Sequence, residues 1–427
     1  MSVKTSPSFV SLGLSKPLSD ALASMAIRRP SQIQIACIPQ ILQGKNCIGG
    51  ARTGSGKTLA FAAPILQKFS EDPFGVFAVV LTPTRELALQ ISEQFAALGA
   101  SMNLRQSVIV GGMDMVRQGL ELQARPHIVI ATPGRLADHI RSSGDEVTAG
   151  LRRVRFLVLD EADRLLNPGF AEDLETCMGI LSNSKDRQTL LFTATVTPSV
   201  LALKEKFKDK IYVHEVKQSG KLSIPEGLSQ YYILVPSRVR EAYLVSLLTL
   251  PLNEKRSAIV FVNRTVTADI LYRTLKLMKV RVTSLHSRLP QPERVNSLNR
   301  FRSEAARVLV ATDVASRGLD IPSVQMVINF DIPGDSDDYI HRVGRTARAG
   351  RVGESISFVT ENDVDRIKAI EGYVGVEMKK YESISEQIVI RDSLRQVSGA
   401  KREAMMDIER ESTDIVGRRK ENKIKRS

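Results

Sequence analysis

What most constrains this chain is a rhythm that occurs twice. Short apolar runs rich in Val and Ile alternate with longer helix-like stretches: Ala78 to Leu81, Ser107 to Val110, Ile128 to Ala131, Phe156 to Leu159 and Leu190 to Phe192. A strand that is apolar at every position is buried on both faces, as in a parallel sheet covered by helices. The rhythm restarts at Ala258 to Val262, Val282 to Leu285, Val308 to Ala311, Met326 to Phe330 and Ser355 to Val359. The expected fold class is therefore α/β, with two domains in series. Between them, residues 216–228 have no periodicity and collect Gly, Ser and Pro, the composition of a flexible linker. The chain thus reads as a tail (1–7), a lead-in (8–35), a first domain (36–215), the linker, a second domain (229–388) and a short basic C-terminal tail (389–427).

Charge narrows the choice of partner. Sixty Lys and Arg against 47 Asp and Glu leave +13, a field that attracts polyanions. After roughly Glu386 the chain turns polar and ends in Arg418 to Ser427, with six basic side chains against one acidic; this stretch is expected to be a mobile basic tail. Cys37, Cys47 and Cys177 show neither the pairing nor the Cys-x-x-Cys spacing of a disulfide frame or zinc site, and read as reduced thiols. No apolar run nears the roughly 18 residues of a membrane helix, and the start lacks the apolar core of a secretory signal. An intracellular protein without a membrane partner is expected. Trp is absent and other aromatics are few, so a nucleic acid would be held by its backbone rather than by base stacking.

Several expected strands run into a polar cluster. Leu81 leads into Thr82-Pro83-Thr84-Arg85, Ile130 into Ala131-Thr132-Pro133-Gly134-Arg135, and Leu159 into Asp160-Glu161-Ala162-Asp163. The second half repeats this with Asn263-Arg264 and Thr312-Asp313. Open α/β sheets bind ligands at these carboxyl ends, so a ligand held between the two polar edges is expected.

The segment Ala51-Arg52-Thr53-Gly54-Ser55-Gly56-Lys57-Thr58 follows a short strand at Cys47-Ile48 and opens a helix. Its glycines let backbone amides close round phosphate oxygens at a helix N-terminus. Lys57 would neutralise the β- and γ-phosphates, and the Thr58 hydroxyl would ligate Mg²⁺. Ala51 stands where the generic P-loop has glycine, so a Gly-rich turn with a chance Lys-Thr is the plain alternative. Asp160, at a strand end downstream, can hold Mg²⁺ opposite Thr58, usually through water. The adjacent Glu161 could orient and deprotonate an attacking water. A solvated acidic turn capping a helix would explain either half alone; both together favour nucleotide hydrolysis. In His341-Arg342-Val343-Gly344-Arg345-Thr346-Ala347-Arg348, Arg345 and Arg348 would share a helix face and stabilise charge developing on the γ-phosphate.

With these residues in place, the chain from Phe9 to about Glu386 resembles the DEAD-box ATP-dependent RNA helicases. The resemblance implies two tandem RecA-like domains. Phe9 and Pro30-Ser31-Gln32-Ile33-Gln34 look like the Q motif, with Gln34 reading the adenine edge, so ATP is the implied cofactor. Pro83, Thr84, Arg85, Gly111, Gly112, Thr132, Gly134 and Arg135 match RNA-backbone motifs of the first domain. Asp163, Thr193, Thr195 and His341 match residues that couple hydrolysis to domain closure. Gln291, Arg294 and Thr312 match RNA contacts of the second domain, Gly318 and Asp320 its nucleotide contacts, and Arg345 and Arg348 its arginine fingers. His127, His139, His214 and His286 are left as structural histidines. Departures from the family spelling are Ile27 where an aromatic often covers adenine, Thr193 for Ser, and Ser287 and Ser316 for Gly and Ala.

The resemblance further implies an RNA-dependent ATPase that closes on ATP and RNA together, parts a short duplex and reopens on hydrolysis. An ATP-gated RNA clamp and a DNA translocase are the other classes, the latter disfavoured by Gln34 and the Asp-Glu-Ala-Asp tetrad. The unbroken run from Ala36 to Gln67, the Thr-Ala-Thr spelling and the short tails resemble nucleolar helicases of small-subunit ribosome assembly. That implies pre-ribosomal RNA, little sequence preference, a protein activator, a monomer and a nucleolar location; a cytoplasmic messenger-RNA or translation role is the alternative.

Overall fold

The computed structural model describes residues 7–51, 54–142, 144–181, 187–193, 200, 211–215, 224, 227–313, 321–347, 351–384 and 386–424. The chain divides into two compact units, with the change at Lys217 and Gln218. In the first, β1 (Asn46–Gly50), β2 (Ala78–Leu81), β3 (Gln106–Ile109), β4 (Ile128–Ala131), β5 (Phe156–Asp160), β6 (Gln188–Thr193) and β7 (Ile211–Glu215) form one sheet. Their spatial order is β3-β4-β2-β5-β6-β1-β7 and every pairing is parallel.

The continuous apolar runs follow from burial on both faces. Ala78 and Val80 of β2 lie in one core with Phe156, Val158, Leu190 and Phe192, whereas Val79 and Leu81 lie in another with Leu157, Leu159 and Leu191. Alternate side chains of a strand point to opposite faces, so each of these strands must be apolar throughout.

The second unit repeats the plan with β8 (Leu228–Leu234), β9 (Ala258–Val262), β10 (Val282–Leu285), β11 (Val308–Thr312), β12 (Met326–Asn329), β13 (Gly353–Val359) and β14 (Lys379–Lys380). The order is β10-β11-β9-β12-β13-β8-β14, again parallel. This is the tandem RecA-like α/β architecture. β8 begins at Leu228, the last residue of the expected linker; residues 216–223 and 225–226 lie outside the described residues.

One expectation needs correcting. The C-terminal segment is helical over Leu394–Ile424, and its first half is seated on the second unit rather than mobile. Val397 and Ala404 are buried, Lys401 pairs with Glu241 at 2.7 Å, and Arg273 reaches Glu411 at 2.6 Å from the helix Thr265–Leu277. The apolar stripe is thin, Leu394, Val397, Ala400, Ala404 and Ile408 among many charges, so composition hid its helical spacing.

Candidate functional site

In the first unit, strand β1 delivers the chain to the phosphate loop. The Ala51 amide donates to the Thr193 carbonyl at the end of β6, 3.1 Å, so the loop's entry is tied to the first residue of the Thr-Ala-Thr segment. Arg52, Thr53 and Thr195 lie outside the described residues. Gly56, at φ 86°, caps the helix Lys57–Glu71 in the left-handed region, a conformation that favours glycine. Any side chain there would also collide with the Gln34 amide. The helix is held from behind: Phe61 lies 5.2 Å from Phe192 and 6.3 Å from Phe95, ring centre to ring centre.

Gln34 is 2% exposed. Its Nε2 donates to the Gly56 carbonyl at 3.1 Å and its Oε1 accepts from the Ser31 amide at 2.9 Å. A primary amide has two N–H donors and an oxygen with two lone pairs, so capacity for an adenine edge remains. Phe9 is buried in the apolar core of the first unit, with Leu12, Leu18 and Ile33. It supports the Gln34 helix rather than lining the phosphate cavity.

That cavity, about 230 Å³, is lined by Gly54, Gly56, Lys57 and Thr58 on one side and Asp160 and Glu161 on another. The two motifs, a hundred residues apart in sequence, are thus brought together. Lys57 Nζ donates to the Ala51 carbonyl at 2.7 Å, which aims the ammonium back across the loop. Asp160 is 3% exposed at the end of β5, and its carboxyl is pushed up to about 7. Burial is the main cause; Glu161 and Asp163 add to it, while Lys57 and the Glu161 amide oppose it. A carboxylate so poorly compensated is fitted to a cation. Thr58 and Asp160 supply two hard oxygens, the partial set that Mg²⁺ takes when water and phosphate complete its shell. Among the described residues no group of three or more His, Cys, Asp or Glu forms a metal site by itself.

Glu161 is a left-handed residue at φ 54°, its amide bonded to Asp160 Oδ1 at 3.1 Å and its carboxylate 3.3 Å from Arg164. Arg164 is not singled out by the sequence, nor are Gln90, Ile91 and Gln94. With Leu87, from the segment Pro83-Thr84-Arg85-Glu86-Leu87 that resembles an RNA-backbone motif, these three line the same cavity from one face of the helix Arg85–Leu98. Their i, i+3, i+4, i+7 spacing was the available signal.

The RNA-motif residues gather elsewhere on the sheet. Pro83, Thr84 and Arg85 follow β2, Gly111 and Gly112 follow β3, and Thr132, Gly134 and Arg135 follow β4. Those three strands are neighbours at one side of the sheet. Thr84 caps the helix Arg85–Leu98, accepting from the Leu87 amide at 3.4 Å. The Arg85 guanidinium lies where a side chain on Gly111 would sit, and Arg135 donates to the Met113 carbonyl at 3.3 Å. The phosphate-loop residues follow β1, and Asp160 and Thr193 end β5 and β6, strands on the other side of β2.

In the second unit the helix carrying His341 spans Ser336–Val343 and stops at Gly344. Arg345 therefore sits in the following turn, buried, and not on a helix face with Arg348 as expected. Arg348, Gly318 and Asp320 lie outside the described residues. Arg342, unassigned by sequence, organises this region. Its guanidinium makes two 2.6 Å bonds to the Asp313 carboxylate, and others to the Asp331 carbonyl at 2.6 Å and Asn263 at 2.8 Å, while lying 5.2 Å from the Phe261 ring centre. It thereby ties together the segments that follow β9, β11 and β12. Thr312 ends β11, and Gln291 and Arg294, in the first turn of the helix Gln291–Arg302, are 4% and 6% exposed. The four remaining histidines are placed by structural contacts: His127 against Arg105 and Phe69, His139 near Gln118, His286 beside Asp269, and His214 on the edge strand β7.

Two tandem parallel sheets of this kind, one with a phosphate loop facing a paired carboxylate strand end, define a nucleotide-driven motor core. Residues 31–203 match the family described as DEAD/DEAH box helicase, and residues 240–350 the helicase conserved C-terminal domain. The chain is 61% identical to the ATP-dependent RNA helicase DBP8 of Yarrowia lipolytica, covering 95% of this chain and 92% of the relative. It is 60% identical to its namesake in Schizosaccharomyces pombe, over 96% and 90%. Among solved structures it resembles Mss116p bound to ssRNA and AMP-PNP, with TM-score 0.82, 30% identity and coverage of 93% of this chain and 84% of that one. It also resembles S. cerevisiae Dbp5 bound to RNA and ADP BeF3, with TM-score 0.77, 30% identity and coverage of 92% and 99%. The chain belongs to the DEAD-box family of ATP-dependent RNA helicases, enzymes that hydrolyse ATP in an RNA-dependent manner.

Proposed function

We propose that this helicase works in ribosome assembly, remodelling pre-ribosomal RNA of the small subunit in the nucleolus, as a monomer and with a protein activator. The observation that carries the enzymatic part is the cavity that joins Lys57, Thr58, Asp160 and Glu161. Lys57 binds the β- and γ-phosphates, Gln34 selects adenine, and Glu161 takes the proton of the attacking water once Arg164 releases or shares its carboxylate. Thr58 and Asp160 would hold Mg²⁺, which would supply neutralising charge at the phosphates. Arg345 and Arg348 add positive charge to the transition state, which makes hydrolysis depend on domain closure. RNA and ATP then favour the same closed form and bind cooperatively.

The assignment to ribosome assembly rests on the resemblance carried by the unbroken run from Ala36 to Gln67, the Thr193-Ala194-Thr195 spelling and the short tails, whereas identity near 60% along almost the whole chain supports the ATP-dependent RNA helicase activity itself. The experiment is crosslinking of cellular RNA to Glu161→Gln, a form that binds ATP and RNA but stalls before hydrolysis. Crosslinks concentrated on pre-ribosomal RNA support the proposal. Crosslinks spread over messenger RNAs would replace it with a cytoplasmic role and leave the enzymology intact.

A further inference from the structure

The sheet of the second unit has an opposite edge. Ser257, Arg281, Arg307 and Gln325 are the residues immediately before β9, β10, β11 and β12, and all four line a cavity of about 310 Å³. It lies at the amino ends of the strands, whereas the helicase motifs lie at the carboxyl ends. Its basic lining consists of Lys255, Arg281, Arg302, Arg307 and Arg351, against the single carboxylate of Glu304.

Elsewhere in this unit, arginines near strand ends are matched to carboxylates, as Arg256 is to Glu354 at 2.6 Å and Arg342 to Asp313. Here, Lys255, Arg281 and Arg351 have no ion pair among the described residues. Arg307 is 8% exposed and spends its donors on the carbonyls of Leu248, Asn253 and Arg256. Arg281 donates to the Glu304 carbonyl at 3.0 Å, which fixes its planar fork beside the cavity. Burial chiefly, and after it the charge of Arg281, holds Arg307 below its ordinary range, and Glu254 offsets only part of this. Among the described residues, Lys255, Arg281 and Arg351 thus concentrate positive charge at this cavity without an ion pair to offset it. An anion bound there would relieve that repulsion.

We propose that this cavity is a binding site for a phosphate group, carried either by a small phosphorylated molecule or by RNA that extends beyond the helicase motifs. A phosphate fits better than carboxylates of an acidic peptide. It concentrates charge and several acceptor oxygens in one small group, which suits the Arg281 guanidinium, whose bond to the Glu304 carbonyl uses only one of its nitrogens, and the Ser257 and Ser323 hydroxyls that line the same cavity. A peptide would have to bring one carboxylate per residue, with its backbone, into about 310 Å³.

The test uses the full-length protein with its ATP site filled by AMP-PNP, so that the phosphate loop does not report. Pyrophosphate is titrated calorimetrically into the wild type, Arg281→Glu, and the milder double variant Lys255→Gln with Arg281→Gln. Single-stranded RNAs of about 8 and about 30 nucleotides are titrated in parallel, the first sized to one helicase footprint. Saturable pyrophosphate binding, weakened about tenfold or more in both variants, supports the small-molecule source. Weakening of the long RNA alone, with a salt slope reduced by about 1, supports the RNA source. Basal ATPase stays unchanged in either case. Wild-type binding of both probes by both variants overturns the proposal, as does failure of the wild type to bind pyrophosphate with no difference between RNA lengths. A polyglutamate peptide that binds as tightly and competes would overturn the phosphate assignment.

Discussion

Asp160 answers to two opposing demands. Its carboxyl is held near 7, chiefly by burial, which suits a site that waits for a cation but costs the nucleotide-free protein stability. A raised acid pKa means that the native state binds more protons than the unfolded one. Without metal, stability should therefore fall as pH rises from about 4, the ordinary range, through 7. Asp160→Asn should abolish ATPase while raising the melting temperature in chelator by about 3 °C or more at pH 8, with a flattened pH dependence. Scanning calorimetry across pH decides this; a variant that melts lower than the wild type would refute it. Gly56 makes the complementary point. Alanine there must hold a left-handed backbone, costing about 1–2 kcal/mol, and displace the Gln34 amide. Gly56→Ala should weaken ATP binding at least about tenfold in a fluorescent-nucleotide titration, out of proportion to its effect on folding.

At the scale of elements, legibility tracked burial. β2, β4 and β5 are buried at every position and were readable to within a residue, because nothing but a doubly covered strand needs such a run. β7 and β8 were not read: most of their positions are half-buried or exposed, Gln230 and Ile233 alone being buried, and residues such as His214, Glu215 and Gln230 break the apolar signal. The phosphate loop and the carboxylate turn were legible as chemistry, because glycines, a lysine and acids in that order have few other uses. Arg342 was not, since a buried arginine looks like a surface one until its partners are known. The C-terminal helix belongs with the unread elements, and its seating can be tested. Val397→Asp would place a charge in the apolar core of the second unit and should destabilise that unit by about 3 kcal/mol or more. Arg273→Ala removes a pair whose Glu411 partner is 61% exposed, and should cost under about 1 kcal/mol. Urea denaturation of the two variants separates a packed helix from an electrostatic tether; equal small effects would mean that the helix does not support the fold.

For the whole molecule, strand order does more than connect motifs. In the first sheet, β3, β4 and β2 carry the RNA-motif residues at their carboxyl ends, and β5, β6 and β1 carry those of the nucleotide. One continuous edge thus carries both sets of motif residues side by side, and the junction falls between β2 and β5. The helix Arg85–Leu98 crosses that junction, with Arg85 against Gly111 at its start and Gln90 and Gln94 in the phosphate cavity farther along. Substitutions at the RNA end should therefore separate binding from chemistry. Arg135→Ala should weaken single-stranded RNA binding without sequence preference, lower the slope of log affinity against log salt by about 0.7, and leave ATP affinity within about twofold. Arg85→Ala should do the same to RNA but also reduce RNA-stimulated ATPase at saturating RNA, because its helix reaches the nucleotide cavity. The pair is measured by RNA titration at several salt concentrations and by steady-state ATPase. If saturating RNA restored full turnover to Arg85→Ala as well, the helix would be a support for the RNA site alone, and coupling would have to run through the Ala51 to Thr193 link at the far side of the sheet.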